Sequence, residues 1–195
     1  MKEKILMVVF VLVLGSILTT ALVAVDDFTA PFIERNSVLK LKSSVLGSLD
    51  IPFNPEDTND IEGVFSENIE VKKRDEKSIY ISQGKDIAFQ FSGAGLWGPI
   101  TGILALQPDI KTIKKIVVIH QEETPGLGGR IAEKVYLNGF ANKTFSPLLL
   151  LVPEGTSSLD NEIDAIAGAT MSSDAFVEIL NDQFEKYRST IQGEL

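Results

Sequence analysis

The chain has 195 residues, a formal net charge of −9 and no cysteine. This length suffices for one domain with a sizeable core plus a tether. Without cysteine there are no disulfides, thiolate iron–sulfur clusters, thioether-linked haems, Cys-based zinc sites or lipoprotein acylation. The net charge is −10 beyond Val25, because the first 25 residues carry two lysines and one glutamate. This acidic balance argues against nucleic acid or an anionic membrane surface as a partner.

The N-terminal segment is long and apolar. No charged residue occurs from Ile5 to Val25, a length of about 31 Å as a helix, which matches a hydrocarbon core of about 30 Å. A cleaved signal peptide is the alternative, since Ala21 and Ala24 suit a cleavage site, but the segment exceeds a typical signal core. We therefore predict an uncleaved transmembrane helix. Lys2 and Lys4 predict a cytoplasmic N terminus and an extracytoplasmic remainder.

Helical signals continue beyond this segment. Thr29-Ala30-Pro31 is typical of an N-cap followed by a proline in the first helical turn. Apolar positions at helical spacing then predict a separate juxtamembrane helix that ends at Leu49, and the polar stretch 54–60 predicts a turn region. The predicted organisation is a cytoplasmic N terminus and transmembrane helix over 1–25, a juxtamembrane helix and linker over 26–60, and an extracytoplasmic domain over 61–195.

Most of the predicted domain has the pattern of strands. The predicted strands are 79–82, 87–91, 100–106, 113–119 and 148–152, with a turn at 83–86 and a short helix at 129–135. A final helix has apolar positions at Phe176, Val177, Leu180, Phe184 and Tyr187, and Ser172-Ser173-Asp174 is predicted as its N-cap. Strands with few interposed helices favour an α+β fold, an antiparallel sheet with flanking helices.

The glycine-rich segment Gly93-Ala94-Gly95-Leu96-Trp97-Gly98 matches the dinucleotide-binding pattern Gly-x-Gly-x-x-Gly. Such a loop must open a helix, whereas Pro99 and a strand-like segment follow here, so we exclude that function. We interpret the segment as a loop that presents Leu96 and Trp97. The residues alone leave open whether this single tryptophan packs in the core or contacts a ligand.

A second loop, Glu123-Thr124-Pro125-Gly126-Leu127-Gly128, follows the strand that ends near His120. Proline then glycine predicts a type II turn, which directs backbone groups outward, and Thr124 adds a hydroxyl. A plain surface turn is the alternative. Glu122 and Glu123 should point to opposite faces, which argues against an acid–base pair. His120 is the only histidine, which excludes a histidine-cluster metal site and favours a structural role.

A third loop ends in Gly168-Ala169-Thr170, just before the predicted final helix. Glycine and alanine leave room for a bulky group to approach the backbone, and Thr170 supplies a hydroxyl. A phosphate on Thr170 would lie near the helix start, where unpaired N–H groups and the helix dipole favour an anion. Alone, this tripeptide is usually only a turn before a helix.

Taken together, the motifs 95–99, 122–129 and 167–170 resemble the FMN-binding subunits of two related membrane complexes. These are the G subunit of the Rnf ferredoxin:NAD oxidoreductase and the C subunit of the sodium-translocating NADH:quinone reductase (Nqr). The resemblance extends over most of the chain and implies an FMN whose phosphate is esterified to Thr170 by a separate flavin transferase. The family usually has serine at the position of Ala167 and often threonine at that of Ser172. Neither change removes the acceptor hydroxyl.

The resemblance also implies a flavin site without catalytic or metal-ligating side chains. Its cofactor-binding residues would be Leu96, Trp97, Glu123, Thr124, Leu127, Gly128, Gly168, Ala169, Thr170, Met171 and Ser172. Leu96 and Trp97 match the residues that line the isoalloxazine ring. Because there is no cysteine, any electron carrier in this chain must be an organic cofactor.

The implied function is electron relay within a multisubunit, ion-translocating oxidoreductase of the inner membrane. Its partners would be the other membrane and peripheral subunits of the complex, and the chain would not be active alone. The compact domain favours the Rnf complex, whereas Gly95-Leu96-Trp97 favours the quinone reductase; we expect the former. The alternatives are a tethered flavin-binding sensor or assembly protein without electron relay, and an anchored interaction domain without cofactor.

Overall fold

The computed structural model describes residues 2–74 and 77–192, which divide after Leu39 into two compact units. Helix α1 runs without a break from Lys2 to Ser48. Among the described residues it is the one helix long and apolar enough to cross a membrane. The predicted helix start at Thr29 is wrong. Its hydroxyl bonds back to the Val25 carbonyl at 2.9 Å, as inside a helix, and Pro31 also lies within α1.

Helix α2 (Thr58–Asn68) starts inside the predicted turn region 54–60, and neither the rest of α2 nor strand β1 (Ile69–Arg74) was predicted from the sequence. The Asp57 carboxylate caps α2 by accepting hydrogen bonds from the N–H groups of Asn59 (2.9 Å) and Asp60 (3.4 Å). Ile61 and Phe65 are the two buried residues of α2. This sparse apolar pattern, together with an edge strand that pairs on one side only, explains why both elements lack a clear sequence signal.

The sheet has five antiparallel strands in the order β1-β2-β3-β4-β5. Its remaining strands are β2 (Lys77–Ser82), β3 (Ile87–Ala94), β4 (Pro99–Leu106) and β5 (Ile113–His120). The predicted α+β fold with an antiparallel sheet is confirmed. Two further strands, β6 (Leu150–Val152) and β7 (Glu162–Asp164), form a separate parallel pair. Strand β7 was not predicted, since three residues give too short a pattern.

Helix α4 (Thr170–Gln192) packs an apolar face into the core of the domain. The ring of Tyr187 stacks on Phe89 with centroids 4.3 Å apart, and the ring of Phe184 stacks on Phe145 at 4.0 Å. All five predicted apolar positions of this helix are buried. The predicted short helix at 129–135 is instead a 3₁₀ helix, Gly128–Ala132, followed by the short helix α3, Lys134–Asn138.

The start of α4 differs from the prediction. The helix begins at Thr170, so the predicted N-cap residues 172–174 lie inside its first two turns. Ser173 is fully buried, and its hydroxyl donates to the Ala169 carbonyl (3.1 Å) and accepts from the Ile166 N–H (3.1 Å). Serine at this spacing therefore holds the loop before the helix rather than capping the helix itself.

Candidate functional site

The β3–β4 connection is a tight hairpin loop. The Gly95 N–H donates to the Gly98 carbonyl at 2.8 Å, and β4 starts at Pro99. No helix follows the loop, in agreement with the exclusion of a dinucleotide-binding function. Leu96 is 43% exposed and Trp97 is 70% exposed. The core alternative for Trp97 is therefore wrong, since the loop presents this ring to the surface.

The loop after β5 also has the predicted turn. The Thr124 carbonyl accepts hydrogen bonds from the Leu127 N–H at 3.1 Å and from the Gly129 N–H at 2.9 Å. Gly126 has a φ of 74°, the value that a type II turn requires at its third position. Thr124 is exposed and Leu127 is 50% exposed. This turn thus offers one hydroxyl and one apolar side chain to the surroundings.

The loop before α4 contains a second turn of the same kind. The Ala169 N–H donates to the Ile166 carbonyl at 2.9 Å, and Gly168 has a φ of 79°. This left-handed conformation explains the glycine, because a side chain there would strain the backbone. The turn and the Ser173 hydrogen bonds together fix the direction in which Thr170 leaves the loop.

The first turn of α4 has unsatisfied donors. The N–H groups of Thr170, Met171 and Ser172 form no hydrogen bond with any residue that the structure describes, and the first N–H to do so is that of Ser173, to the Ala169 carbonyl at 3.0 Å. The first turn contains no acidic side chain, and Thr170 is exposed. Free N–H groups and the positive end of the helix dipole make this position favourable for a phosphate.

These three loops border one cavity of about 440 Å³. Its lining contains every predicted cofactor-binding residue except Glu123: Leu96, Trp97, Thr124, Leu127, Gly128, Gly168, Ala169, Thr170, Met171 and Ser172. The volume lies within the range of small-molecule sites. Size alone does not single out this cavity, since another of about 530 Å³ lies beside α4 and residues 148–151. A further cavity of about 410 Å³ shares Thr170 but is otherwise lined by residues 151–154 and 165–167. The cavity of about 440 Å³ differs from both because all three loops border it, with the exposed side chains of Leu96, Trp97 and Leu127 beside Thr170.

Glu123 does not line the cavity. Its side chain points inward and is 3% exposed, and both carboxylate oxygens accept hydrogen bonds from neighbouring protein groups. The cavity lining therefore does not include this side chain, in contrast to the prediction. The next residue, Thr124, is exposed and begins the type II turn.

His120 and Glu122 lie outside the cavity lining. The His120 Nε2 atom is 3.2 Å from Glu122 Oε1, and both side chains are more than half exposed. Within the part of the chain that the structure describes, no group of three His, Cys, Asp or Glu side chains is arranged to hold a metal ion. The site thus offers apolar contacts, hydroxyls and backbone N–H groups, which suit a flat organic molecule with a phosphate.

Comparison with known proteins agrees with this chemistry. The model of the FMN-binding domain family matches residues 95–185. The C subunit of the Na(+)-translocating NADH-quinone reductase from Neisseria meningitidis serogroup A is 35% identical over 105 residues, which cover 49% of this chain and 41% of that protein. The corresponding Pasteurella multocida protein is 35% identical over 96 residues, covering 47% and 37%. The chain thus spans about 40% of the length of these relatives.

Two solved structures share the fold. The crystal structure of Shewanella oneidensis NqrC has a TM-score of 0.64 at 17% identity, covering 78% of this chain and 96% of that one. The crystal structure of the corresponding protein from Parabacteroides distasonis has a TM-score of 0.69 at 22% identity, covering 82% and 95%. Residues 95–185 therefore match the FMN-binding domain family, and the predicted resemblance of this chain to the FMN-binding subunits of the Nqr and Rnf complexes is confirmed as a resemblance.

Proposed function

We propose that this chain carries one FMN, esterified to Thr170, and relays electrons as a subunit of a membrane-bound, ion-translocating oxidoreductase. One observation carries the proposal. An exposed threonine hydroxyl stands at the N-terminus of α4, in a cavity shared with Leu96 and Trp97, inside a segment that matches the FMN-binding domain family.

The residues of the cavity fit the two ends of FMN. The three free N–H groups at the start of α4 suit the phosphate, and the first turn of the helix itself contains no acidic residue. Leu96, Trp97 and Leu127 offer apolar surface to the isoalloxazine ring, and the Thr124 hydroxyl offers a hydrogen bond to its polar edge. The ten lining residues are thus proposed as the cofactor site.

Covalent attachment requires an activated phosphate. The Thr170 hydroxyl would lose its proton and its Oγ1 would form the new bond to phosphorus, while the bond to the leaving half of a phosphoanhydride donor breaks. A separate flavin transferase would bind that donor, take up the Thr170 proton and catalyse the transfer, because the cavity lining contains no lysine, arginine or histidine that could activate the phosphate. Bound FMN supplies the electron-transfer chemistry, and the protein supplies position, polarity and retention.

The relatives favour one complex over the other. Both relatives named above are C subunits of the Na(+)-translocating NADH-quinone reductase, so the quinone-reductase alternative is now preferred to the expected Rnf complex. The chain would act there as part of an oxidoreductase, with other membrane and peripheral subunits as partners. Trp97 and Met171 at the cavity edge are exposed, so the flavin would lie where an adjacent protein of the complex can approach.

The proposed location follows from α1. Residues 5–25 are exposed along their whole length and have the apolarity of a membrane span. A single crossing of the inner membrane, with Lys2 and Lys4 on the cytoplasmic side, would place the domain of residues 61–195 outside. A covalently held flavin is advantageous in that position, since a dissociating cofactor would be diluted.

The test uses Thr170→Ala in the full complex, co-expressed with a flavin transferase. Thr58→Ala is the matched control, because Thr58 is also an exposed first residue of an α-helix. We expect both variants to assemble, and only Thr170→Ala to lose NADH-driven quinone reduction and flavin fluorescence on a denaturing gel. Thr170→Ser should keep some of both, since an oxygen nucleophile remains. A Thr170→Ala complex with unchanged activity would contradict the proposal.

The same preparation separates the alternatives. A wild-type chain that carries FMN but purifies without other subunits would favour a tethered sensor or assembly protein. A colourless wild-type chain, produced with an active transferase, would favour an interaction domain in which the Gly-Ala-Thr segment is only a turn.

A further inference from the structure

The buried Glu123 carboxylate joins two of the loops that border the cavity to α4. Its Oε1 atom accepts hydrogen bonds from the N–H groups of Leu96 (2.7 Å) and Trp97 (3.2 Å), which belong to the β3–β4 loop. Its Oε2 atom accepts a hydrogen bond from the Ser172 hydroxyl (2.7 Å), in the first turn of α4. Glu123 itself belongs to the loop after β5. Segments distant in sequence therefore meet at one side chain.

The environment of this carboxylate is neutral and closed. Glu123 and Ser172 are each 3% exposed. No lysine, arginine or histidine in the described ranges forms an ion pair with Glu123. The side chain is thus held by hydrogen bonds alone, and the two backbone N–H groups would lack a partner if it were removed.

The position of these bonds relative to Thr170 gives them a functional meaning. Ser172 lies two residues beyond Thr170, and Leu96 and Trp97 provide the apolar edge of the cavity. A single carboxylate therefore fixes the distance between the proposed attachment point and the side chains proposed to contact the ring. Side chains that do not contact a cofactor contribute to its site in this way, by holding the contacting residues in place.

We infer that Glu123 is a positioning residue, which sets the placement of the Leu96–Trp97 loop against the flavin without contacting the flavin. The inference rests on the proposed function, because it presupposes FMN on Thr170. Glu123 takes no part in the attachment of FMN to Thr170, because its carboxylate oxygens face Leu96, Trp97 and Ser172 and the residue does not line the cavity.

The chain offers matched variants. Glu123→Ala removes all three hydrogen bonds. Glu122→Ala makes the same change of charge and size one residue earlier, at an exposed side chain that pairs with His120 instead. In Glu123→Gln, the amide oxygen still accepts from the loop, and the amide nitrogen donates to the Ser172 hydroxyl. Ser172→Ala removes one of the three bonds.

The experiment measures the full chain carrying FMN after co-expression with a flavin transferase. The readouts are the intact mass, the visible circular dichroism of the flavin and its midpoint potential. We expect Glu123→Ala to retain the FMN mass but to shift the dichroism bands and the potential. Glu122→Ala and Glu123→Gln should match the wild type, and Ser172→Ala should give a smaller shift in the same direction.

Two outcomes would overturn the inference. One is a Glu123→Ala protein with wild-type flavin spectra and potential; the other is a folded Glu123→Ala protein that lacks FMN, which would place Glu123 in attachment. If Glu123→Ala fails to fold, Ser172→Ala decides, and wild-type spectra in that variant would refute the positioning role. Wild-type protein without FMN on Thr170 would instead contradict the proposed function.

Discussion

Trp97→Ala separates ligand contact from core packing, because the structure sets an upper limit on the stability that Trp97 provides. The side chain is 70% exposed, so about 30% of a surface of roughly 250 Å² is removed from water. At about 25 cal/mol per Å², this corresponds to at most about 2 kcal/mol. A fully buried aromatic residue such as Phe176, at 0% exposed, should instead cost about 3–5 kcal/mol on truncation to alanine.

The assay compares Trp97→Ala with Phe176→Ala in the flavin-loaded chain. Thermal unfolding followed by far-ultraviolet circular dichroism reports stability, and the visible absorption and midpoint potential report the flavin environment. We expect Trp97→Ala to remain folded with altered flavin properties, because an apolar ring contact is lost. A variant that is destabilised as strongly as Phe176→Ala, with wild-type flavin properties until it melts, would refute the reasoning.

Three further predictions concern the glycine of the turn before α4, the Asp164 carboxylate at the end of β7 and the topology. Gly168→Ala should lower the free energy of unfolding by about 1–2 kcal/mol, because the φ of 79° is left-handed. The control Gly63→Ala should raise it by up to about 1 kcal/mol, because Gly63 lies inside helix α2 with open space around it. Urea titration measures both changes. The pKa of Asp164 lies below its usual value, because the Ser157 N–H donates a hydrogen bond to the Asp164 carboxylate. The stability that the Asp164 carboxylate contributes to the fold is therefore complete above about pH 4, and it is lost as the pH falls through the lowered pKa of Asp164 in the folded state. Asp164→Asn should therefore flatten the dependence of the melting temperature on pH below about pH 4. A reporter active only in the cytoplasm should stay silent when fused to the C terminus, and an active one would contradict the proposed topology.

The parts of the fold with strong periodicity were predictable. Strands β2 to β5 and the buried face of α4 have clear alternating or helical patterns, and the sheet order follows from short connections between consecutive strands. The break predicted at Thr29 failed because threonine and proline are start signals only when the preceding residues are not helical. Here the apolar helix before them continues, and Thr29 bonds to a carbonyl of its own preceding turn.

The candidate site was predictable at the level of loops and less so at the level of side chains. The Pro125-Gly126 pair located the type II turn after β5, and Gly126 has a positive φ. The turn before α4, with Gly168 at positive φ, was given only as the plain alternative to a cofactor site. The inward orientation of Glu123 was not predictable, because its partners lie 27 residues earlier and 49 residues later in the sequence. Ser173 was misassigned as a cap for a similar reason, since its role depends on where α4 begins.

The central claim is a covalent FMN on Thr170, and peptide mapping tests it most directly. The full chain is co-expressed with a flavin transferase, denatured, digested and analysed by tandem mass spectrometry. The account predicts an FMN adduct on the peptide that contains Gly168-Ala169-Thr170, with fragment ions that assign it to Thr170. FMN on Ser172, on Ser173 or on any other peptide, or a complete absence of the adduct, would contradict the account.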